Sequence, residues 1–252
     1  MWQIAKPGYD EGVGACGSIG LIALSVDRAF ESDIHDFIGD APGVGIFTTR
    51  IAMEPVASPE SLAALEGHLD GCARLLVPGT KLDVVAFGCT SGAIAIGLDK
   101  VAQIIRNARP GVEVATPIGA AVKAFEVLGA KRISLLAPYR VPVAEMVAAH
   151  FEAEGLVIDR RMTFDLDGDP DINRLSVAAL VEEGKRAMHE DSDALFISCT
   201  GLRTAGVVET LERELGKPVV TSNQALAWQC MRLLSGQGEA AGIGSLNRTG
   251  AS

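Results

Sequence analysis

DVVAFGCTSG (83–92) and DALFISCTGL (193–202) follow one pattern, and together these two segments decide the fold. Each begins with Asp, continues through a short apolar run and reaches Cys-Thr, and the two lie 110 residues apart. IGLIALSVDR (19–28) and RISLLAPYR (132–140) form a second pair at a similar separation. Repeats that stay in register along a chain indicate a duplicated architecture.

Short β-branched runs alternate with helical segments through both repeats, which is typical of βαβ units and a parallel sheet. We predict an α/β fold with two pseudo-symmetric halves, each a four-stranded, mostly parallel sheet flanked by helices, with the active site between them. The first half should comprise residues 1–118 and 223–252, and the second half residues 119–222. The predicted strands are 19–25, 45–49, 84–88, 112–116, 133–137, 156–163, 195–198 and 218–221, and the predicted helices are 58–76, 142–154, 172–189 and 204–215.

The composition excludes several classes of protein. Apolar residues make up 48% of the chain and charged residues 21%, which is ordinary for a globular protein with a large core. A net charge of −10 without a basic cluster argues against nucleic-acid binding. No apolar run approaches the roughly 20 residues that span a bilayer, and the N-terminus lacks the pattern of a signal peptide. We therefore expect a cytoplasmic protein with no membrane partner.

Two of the five cysteines occupy equivalent positions in the repeats, and these are Cys89 and Cys199. Each ends an apolar strand, so each should lie at the carboxyl edge of a sheet, where ligands of open α/β sheets bind. A pseudo-two-fold relation would place the two sulfurs across a shared cleft. The cysteines lack CxxC spacing, which disfavours a disulfide framework or a zinc site; Cys16, Cys72 and Cys230 have no counterparts and are interpreted as structural.

The residues after each cysteine are small and should form the first turn of the next helix. The free N–H groups of such a turn attract anions and stabilise a thiolate, which predicts a thiol pKa lowered toward neutrality. The alternative is that both cysteines are buried thiols that only fill space. Their duplication at equivalent positions favours the catalytic interpretation.

The motifs TTRI (48–51), GCTSG (88–92), LLAPY (135–139), SCTGLR (198–203) and VVTSNQALAWQ (219–229) resemble those of the aspartate/glutamate racemase superfamily. Within it the chain is most similar to the branch that contains maleate isomerases, proteins encoded with ectoine-utilisation genes and arylmalonate decarboxylase. The resemblance implies catalysis without a cofactor or a metal, and a homodimer or larger homo-oligomer. No phosphate loop, metal cluster or Schiff-base motif is evident in the sequence.

The same resemblance implies roles for individual residues. Cys89 and Cys199 match two catalytic cysteines that act on opposite faces of a small carboxylate substrate. The residues that match carboxylate-binding positions are Thr90, Ser91, Tyr139, Thr200 and Gly201.

Three further residues are candidates for substrate binding because they follow the first two strands. Asp27 would orient a thiol, bind a substrate amine or cap a helix, and Ser25 lies beside it. Arg50 would pair with a distal carboxylate or form a surface ion pair. The acidic run DLDGDPD (165–171) lacks the terminal Glu of a calcium loop and is interpreted as a loop and helix cap, or as a lid.

Two departures from the family pattern bear on the substrate. Maleate isomerases carry an Asn soon after the first strand, where this chain has LSVDR (24–28), and arylmalonate decarboxylase has a small residue in place of the first cysteine. Retention of both thiols favours isomerisation or racemisation of a small carboxylate. The alternatives are decarboxylation of a malonate-type diacid, a non-enzymatic carboxylate-binding protein, and redox sensing through a Cys89–Cys199 disulfide, which requires Cα atoms within about 7 Å.

Overall fold

Two four-stranded sheets, one from each repeat, form the centre of the molecule. The computed structural model describes residues 1–234 and 244–248. The strands are β1 (Gly17–Leu24), β2 (Val44–Ile51), β3 (Val84–Gly88), β4 (Glu113–Ala115), β5 (Arg132–Tyr139), β6 (Val157–Leu166), β7 (Ala194–Ile197) and β8 (Val219–Thr221).

The sheets have the same topology. Strand order is β2-β1-β3-β4 in the first and β6-β5-β7-β8 in the second, and all six neighbouring pairs are parallel. This confirms the predicted fold class, with sheets that are wholly rather than mostly parallel. The boundaries of the two halves at 118/119 and 222/223 stay a prediction, and residues 235–243 and 249–252 of the proposed first half lie outside the described residues.

Twelve helices accompany these strands in the described part of the chain. They are α1 (Phe30–Ile38), α2 (Pro59–Ala64), α3 (Glu66–Leu75), α4 (Thr90–Ile96), α5 (Leu98–Ala108), α6 (Pro117–Leu128), α7 (Val141–Ala153), α8 (Asp169–Ile172), α9 (Val177–Ala187), α10 (Ala205–Leu215), α11 (Ser222–Leu233) and α12 (Gly244–Arg248). None of the helices described is long and apolar enough to cross a membrane.

Two predicted helices differ from those observed. The helix predicted over 58–76 begins with Ser58 as its N-cap but is divided at Leu65, whose N–H bonds to the carbonyl of Leu62 in a tighter turn. The helix predicted over 172–189 is shorter at its start. There Ser176 caps α9 by accepting a hydrogen bond from the N–H of Ala179 at 3.1 Å, so that 173–175 form a turn after α8.

The central strands are buried on both faces. All eight residues of β1 and all five of β3 are buried, which is expected of parallel strands that are covered by helices on each side. In the second half Phe125, Phe151 and Phe196 pack edge to face, with ring centroids 5.0–6.0 Å apart. The apolar runs seen in the sequence therefore form one continuous core.

A buried carboxylate connects the two halves. Asp33 in α1 accepts hydrogen bonds from the backbone and hydroxyl of Thr204, from the N–H of Ala205 and from the side-chain amide of Asn223. It caps α10 from another part of the chain, and the favourable interaction of an anion with a helix N-terminus adds to these bonds. The contact holds the carboxyl edges of the two sheets together, where the candidate site lies.

Candidate active site

Cys89 lies where β3 ends and α4 begins. It is the N-cap residue of α4, with an extended backbone (φ −145°, ψ 114°), and its Sγ accepts a hydrogen bond from the N–H of Gly92 at 3.2 Å. The side chain is buried, with 4% of its surface exposed. The predicted strand–cysteine–helix arrangement is therefore present in the first half.

Cys199 occupies the equivalent place in the second half, but its surroundings differ. Its φ is +102°, a left-handed conformation that costs a non-glycine residue about 1–3 kcal/mol and that clusters at functional sites. The Sγ accepts from the N–H of Gly201 at 3.4 Å, and the N–H of Cys199 donates to Ser222 Oγ at 3.0 Å. The expectation that Thr200 and Gly201 begin a helix is wrong, because α10 starts only at Ala205 and these residues form a loop.

The two cysteine turns meet at the junction of the sheets. Thr200 Oγ1, whose single proton is shared between the carboxylate of Asp27 and a backbone carbonyl, lies 3.2 Å from the carbonyl oxygen of Gly88, the residue before Cys89. Thr90 Oγ1 donates to Ser222 Oγ at 2.9 Å, and the same oxygen accepts from the N–H of Cys199. Direct hydrogen bonds thus join the backbone around one cysteine to the backbone around the other, which places both thiols in a single site. All five cysteines of the chain are free.

Tyr139, at the end of β5, is the aromatic residue of this site. It is buried, and its hydroxyl shares a hydrogen bond with Ser198 Oγ at 3.3 Å. Burial raises the pKa of the phenol well above its ordinary value, and the neighbouring Cys199 and Cys89 thiols raise it further. The phenol is therefore a proton donor beside both cysteines throughout the physiological pH range.

Burial dominates the ionisation of the two thiols. It raises the pKa of Cys89 to about 12, and the carboxylate of Asp169 adds to this rise. The N–H of Gly92 acts in the opposite direction and lowers the pKa. Burial likewise raises the pKa of Cys199 well above its ordinary value, with further contributions from Asp169 and Asp27. The predicted lowering of the thiol pKa by a helix N-terminus is thus wrong, because desolvation and two nearby acids outweigh the N–H group and the hydroxyl that lower the pKa of each thiol.

The predicted carboxylate-binding residues are buried at the same junction. Thr90 and Ser91 form the first turn of α4, where backbone N–H groups have no intrahelical acceptor. Thr200 and Gly201 directly follow Cys199, and both are buried. This arrangement offers backbone donors for a small anion beside the two cysteines, although the hydroxyls of Thr90 and Thr200 already donate to protein oxygens.

Ser25 and Arg50 make contacts within the first half. Ser25 is exposed, and its Oγ accepts from the N–H of Met53 at 3.0 Å. Arg50 donates to the carbonyls of Leu24 and Asp27 and forms an ion pair with Glu31. Its guanidinium therefore supports the backbone behind Asp27, and its predicted pairing with a substrate carboxylate stays a prediction.

Asp27 caps a helix, one of the three roles that the sequence left open, and it also contacts the turn that carries Cys199. Its Oδ1 accepts from the N–H groups of Ala29 and Phe30 at the start of α1, each at 2.9 Å, so it does cap that helix. Its Oδ2 accepts from Thr200 Oγ1 at 2.9 Å, which places the carboxylate against the Cys199 turn. Burial raises its pKa, although these donors partly offset the rise.

Asp169 is a residue of the site that the sequence analysis did not identify. It belongs to the acidic run after β6, which crosses to the first half through a bridge between Gly168 and Val56. A Cβ at Gly168 would lie 1.8 Å from the carbonyl oxygen of Pro55, so only glycine permits this approach. The signal that could have identified Asp169 is its position at the carboxyl end of a parallel strand, the same edge as both cysteines.

Comparison with known proteins agrees with this geometry. A maleate isomerase of Nocardia farcinica is 28% identical over 240 residues, which cover 91% of this chain and 95% of that protein. Arylmalonate decarboxylase of Bordetella bronchiseptica is 30% identical over 172 residues, 68% of each chain.

A solved structure shows the same arrangement of elements. It is a cysteine-to-serine variant of the Nocardia farcinica maleate cis-trans isomerase with a covalently bound succinylcysteine intermediate. It superposes with a TM-score of 0.84 at 25% identity, over 92% of this chain and 98% of that chain. The family model for arylmalonate decarboxylase matches residues 56–247. The relatives of this chain include maleate isomerases as well as arylmalonate decarboxylase. Together with the duplicated sheets and the paired cysteine turns, the family match shows that the chain belongs to the arylmalonate decarboxylase family.

Proposed function

We propose that this protein is a cofactor-independent isomerase or racemase of a small carboxylate, in which Cys89 and Cys199 serve opposite faces of the substrate. The observation that carries the proposal is the junction of the two cysteine turns through Thr200, Thr90 and Ser222. A thiol that is exposed to solvent, or that acts alone, would not need a second cysteine turn bonded to its own. A protein that only binds carboxylates would not need two thiols.

Stereoinversion at the carbon next to the carboxylate would use the pair as base and acid. One cysteine, as thiolate, removes the α-proton, and the electron pair moves into the carboxylate to give an enediolate. The N–H groups of Thr90 and Ser91 and the hydroxyl of Tyr139 are donors for its oxygens. The other cysteine, as thiol, delivers its proton to the opposite face. The two thiols exchange protonation states, and no oxidant or reductant is consumed.

Geometric isomerisation would use the same pair differently. One thiolate adds to an alkene carbon, and the other thiol protonates the adjacent carbon, which leaves a single bond that can rotate. Removal of a proton and expulsion of the thiolate then regenerate the alkene in the other geometry. The succinylcysteine intermediate of the Nocardia farcinica maleate isomerase supports this route.

Decarboxylation of a malonate-type diacid is the second candidate, supported by the 30% identity to arylmalonate decarboxylase. That reaction needs one proton donor, because loss of CO₂ generates the carbanion. The number of thiols required therefore separates the two candidates.

The test is to incubate a panel of small carboxylates with the protein in D₂O and follow exchange and interconversion by NMR. The variants are Cys89→Ser and Cys199→Ser, with Cys16→Ser as the exposed control. Each active-site variant should lose interconversion by about 10²–10⁴-fold, because neither face can be served alone, and the control should retain it. If Cys89→Ser keeps full turnover while Cys199→Ser abolishes it, the two-thiol proposal fails and the decarboxylase candidate replaces it.

A further inference from the structure

The two cysteine turns are held in different ways. In the first half, Cys89 is followed directly by α4, and its carbonyl accepts a helical hydrogen bond from the N–H of Ala93 at 3.1 Å. In the second half, Cys199 has a φ of +102°, and α10 starts only at Ala205. Carbonyl groups in the loop between these two residues lie outside a helix, so they need donors from elsewhere in the chain.

Side chains in the first turn of α11 hold this loop. Asn223 Nδ2 donates to the carbonyl of Thr200 at 2.9 Å and lies 3.3 Å from the carbonyl oxygen of Leu202. Ser222 Oγ accepts from the N–H of Cys199 at 3.0 Å. Both side chains are fully buried. Two adjacent residues of one helix therefore bond the strained cysteine and the loop that follows it.

The internal repeat shows that these two side chains are specific to the second half. The helices α6 and α11 are each capped by a threonine that accepts a hydrogen bond from the N–H three residues further on. The two residues after this cap are Pro117 and Ile118 in the first half, and Ser222 and Asn223 in the second. Proline and isoleucine side chains cannot form hydrogen bonds. Hydrogen-bonding side chains thus occur only in the copy whose cysteine turn is strained.

Neither feature of this turn favours stability. The left-handed conformation of Cys199 is strained. Asn223 Oδ1 is buried and accepts no hydrogen bond from the residues that the structure describes, and a buried acceptor without a donor destabilises the folded state. Two unfavourable features at one turn are expected where function, rather than stability, determines the residues.

We propose that Asn223, together with Ser222, is a positioning residue that holds Cys199 in its left-handed conformation and thereby fixes the direction of the thiol. In this conformation Cys199 Sγ accepts from the N–H of Gly201 at 3.4 Å. The inference rests on the proposed function, and it makes the two thiols unequal, because Cys89 is held only as the N-cap of a helix. Direction matters because a thiol must lie within hydrogen-bond reach of the carbon that it serves.

The conformation of Cys199 can be measured by NMR without a substrate. Labelling with [¹³C]cysteine gives signals from five residues, and single cysteine-to-serine variants assign them. The ¹³Cα and ¹³Cβ shifts of a residue depend on its φ and ψ. All five thiols are free, so the shifts report backbone conformation without a contribution from disulfide formation.

Two substitutions remove the amide donors. Asn223→Leu keeps the approximate size of the side chain, whereas Asn223→Ala shortens it, so agreement between them separates loss of the hydrogen bonds from loss of packing. Gln229→Leu is the matched control. Gln229 is a buried amide in the same helix, and in the described part of the chain it forms no hydrogen bond with the Cys199 turn. Circular dichroism verifies that each variant is folded.

Both Asn223 variants should move the Cys199 signals away from left-handed values, and by more than those of Cys89. Interconversion of the substrate that the carboxylate panel identifies should fall by about 10-fold or more, because a misplacement of about 1 Å is costly to catalysis. Gln229→Leu should change neither property. Cys199 signals that stay in place overturn the proposal, and so does a shift that leaves interconversion unchanged.

Should both Asn223 variants fail to fold, Ser222→Ala provides the decision. It removes a single acceptor from the N–H of Cys199, and it too should move the Cys199 signals away from left-handed values. Signals that remain at left-handed values in Ser222→Ala overturn the proposal.

The outcomes separate this inference from the proposed function. If Cys89→Ser and Cys199→Ser retain turnover, the two-thiol function fails, whatever the signals of Cys199 show. If these two variants are inactive while Asn223→Leu leaves both the Cys199 signals and interconversion unchanged, the function stands and the positioning role fails.

Discussion

Asp169→Asn should stabilise the folded protein at neutral pH. Burial, and then the charge of Asp27, raise the pKa of the Asp169 carboxyl from its ordinary 3.8 to about 6. Below about pH 4 the group is protonated in both the folded and the unfolded chain, so it carries no penalty. Between about pH 4 and pH 6 it ionises first in the unfolded chain, and the free energy of unfolding falls as pH rises.

Above about pH 6 the group is ionised in both states and the penalty is complete. The difference between 3.8 and about 6, at about 1.36 kcal/mol per pKa unit, corresponds to about 3 kcal/mol. Asn resembles the protonated acid in shape, so the variant should be more stable than wild type by up to about 3 kcal/mol near neutral pH and nearly equal to it near pH 4.

Urea unfolding followed by tryptophan fluorescence at both pH values measures these free energies. Asp171→Asn is the control, since its exposed side chain should leave stability within about 0.5 kcal/mol of wild type at each pH. A variant at Asp169 that is no more stable than wild type at neutral pH would refute the reasoning that burial of this ionised carboxylate destabilises the folded protein.

Other substitutions and one mass measurement test the remaining features. Cys199→Gly should be more stable than Cys199→Ala by about 1 kcal/mol, because glycine accepts φ +102° without strain. Thermal unfolding of the two variants measures this difference. A more stable alanine variant, which is the usual order of the two residues, would contradict the prediction. Asp33→Ala should lower the free energy of unfolding by about 3 kcal/mol or more, since it leaves buried donors unpaired. Asp36→Ala, at an exposed position of the same helix, should change this free energy by less than about 0.5 kcal/mol. Equal effects of the two substitutions would refute the conclusion that Asp33 holds the two halves together. Light scattering at micromolar concentration should give the mass of a homodimer or larger assembly, and a mass of 26.3 kDa would show a monomer.

The fold could be predicted because its determinants are local and repeated. Each apolar run is short and β-branched, each is followed by a helical segment, and the pattern occurs twice, so all eight strands were found within a few residues. The repeat also identified Cys89 and Cys199, since an internal copy distinguishes a site residue from an ordinary buried thiol. Tyr139 has no copy in the first half, where Ser25 stands near the equivalent position. It was therefore found through the family resemblance alone.

The features that were missed depend on contacts between the halves. Nothing near Asp169 in the sequence shows that the following turn crosses to Pro55 and Val56 and buries the carboxylate. The loop after Cys199 was predicted as a helix start because its composition resembles that of the first copy. In the folded chain Asp33 and Asn223 hold that segment instead, and both belong to distant elements. The thiol pKa was likewise misjudged, since burial and neighbouring acids are properties of the assembled site.

The hydrogen bond between Thr90 and Ser222 also determines when the site can form while the chain is being synthesised. These residues are 132 positions apart in the chain, so at about 5–20 residues per second the ribosome makes the second roughly 7–26 s after the first. Throughout that interval the turn bearing Cys89 lacks the hydroxyl that joins it to the second turn, and Cys199 has not yet been paired with it. The two turns therefore cannot join until α11 has emerged, and the Cys89 thiol lacks its cover during that interval. Oxidative damage acquired during translation should accordingly accumulate at Cys89 in preference to Cys199.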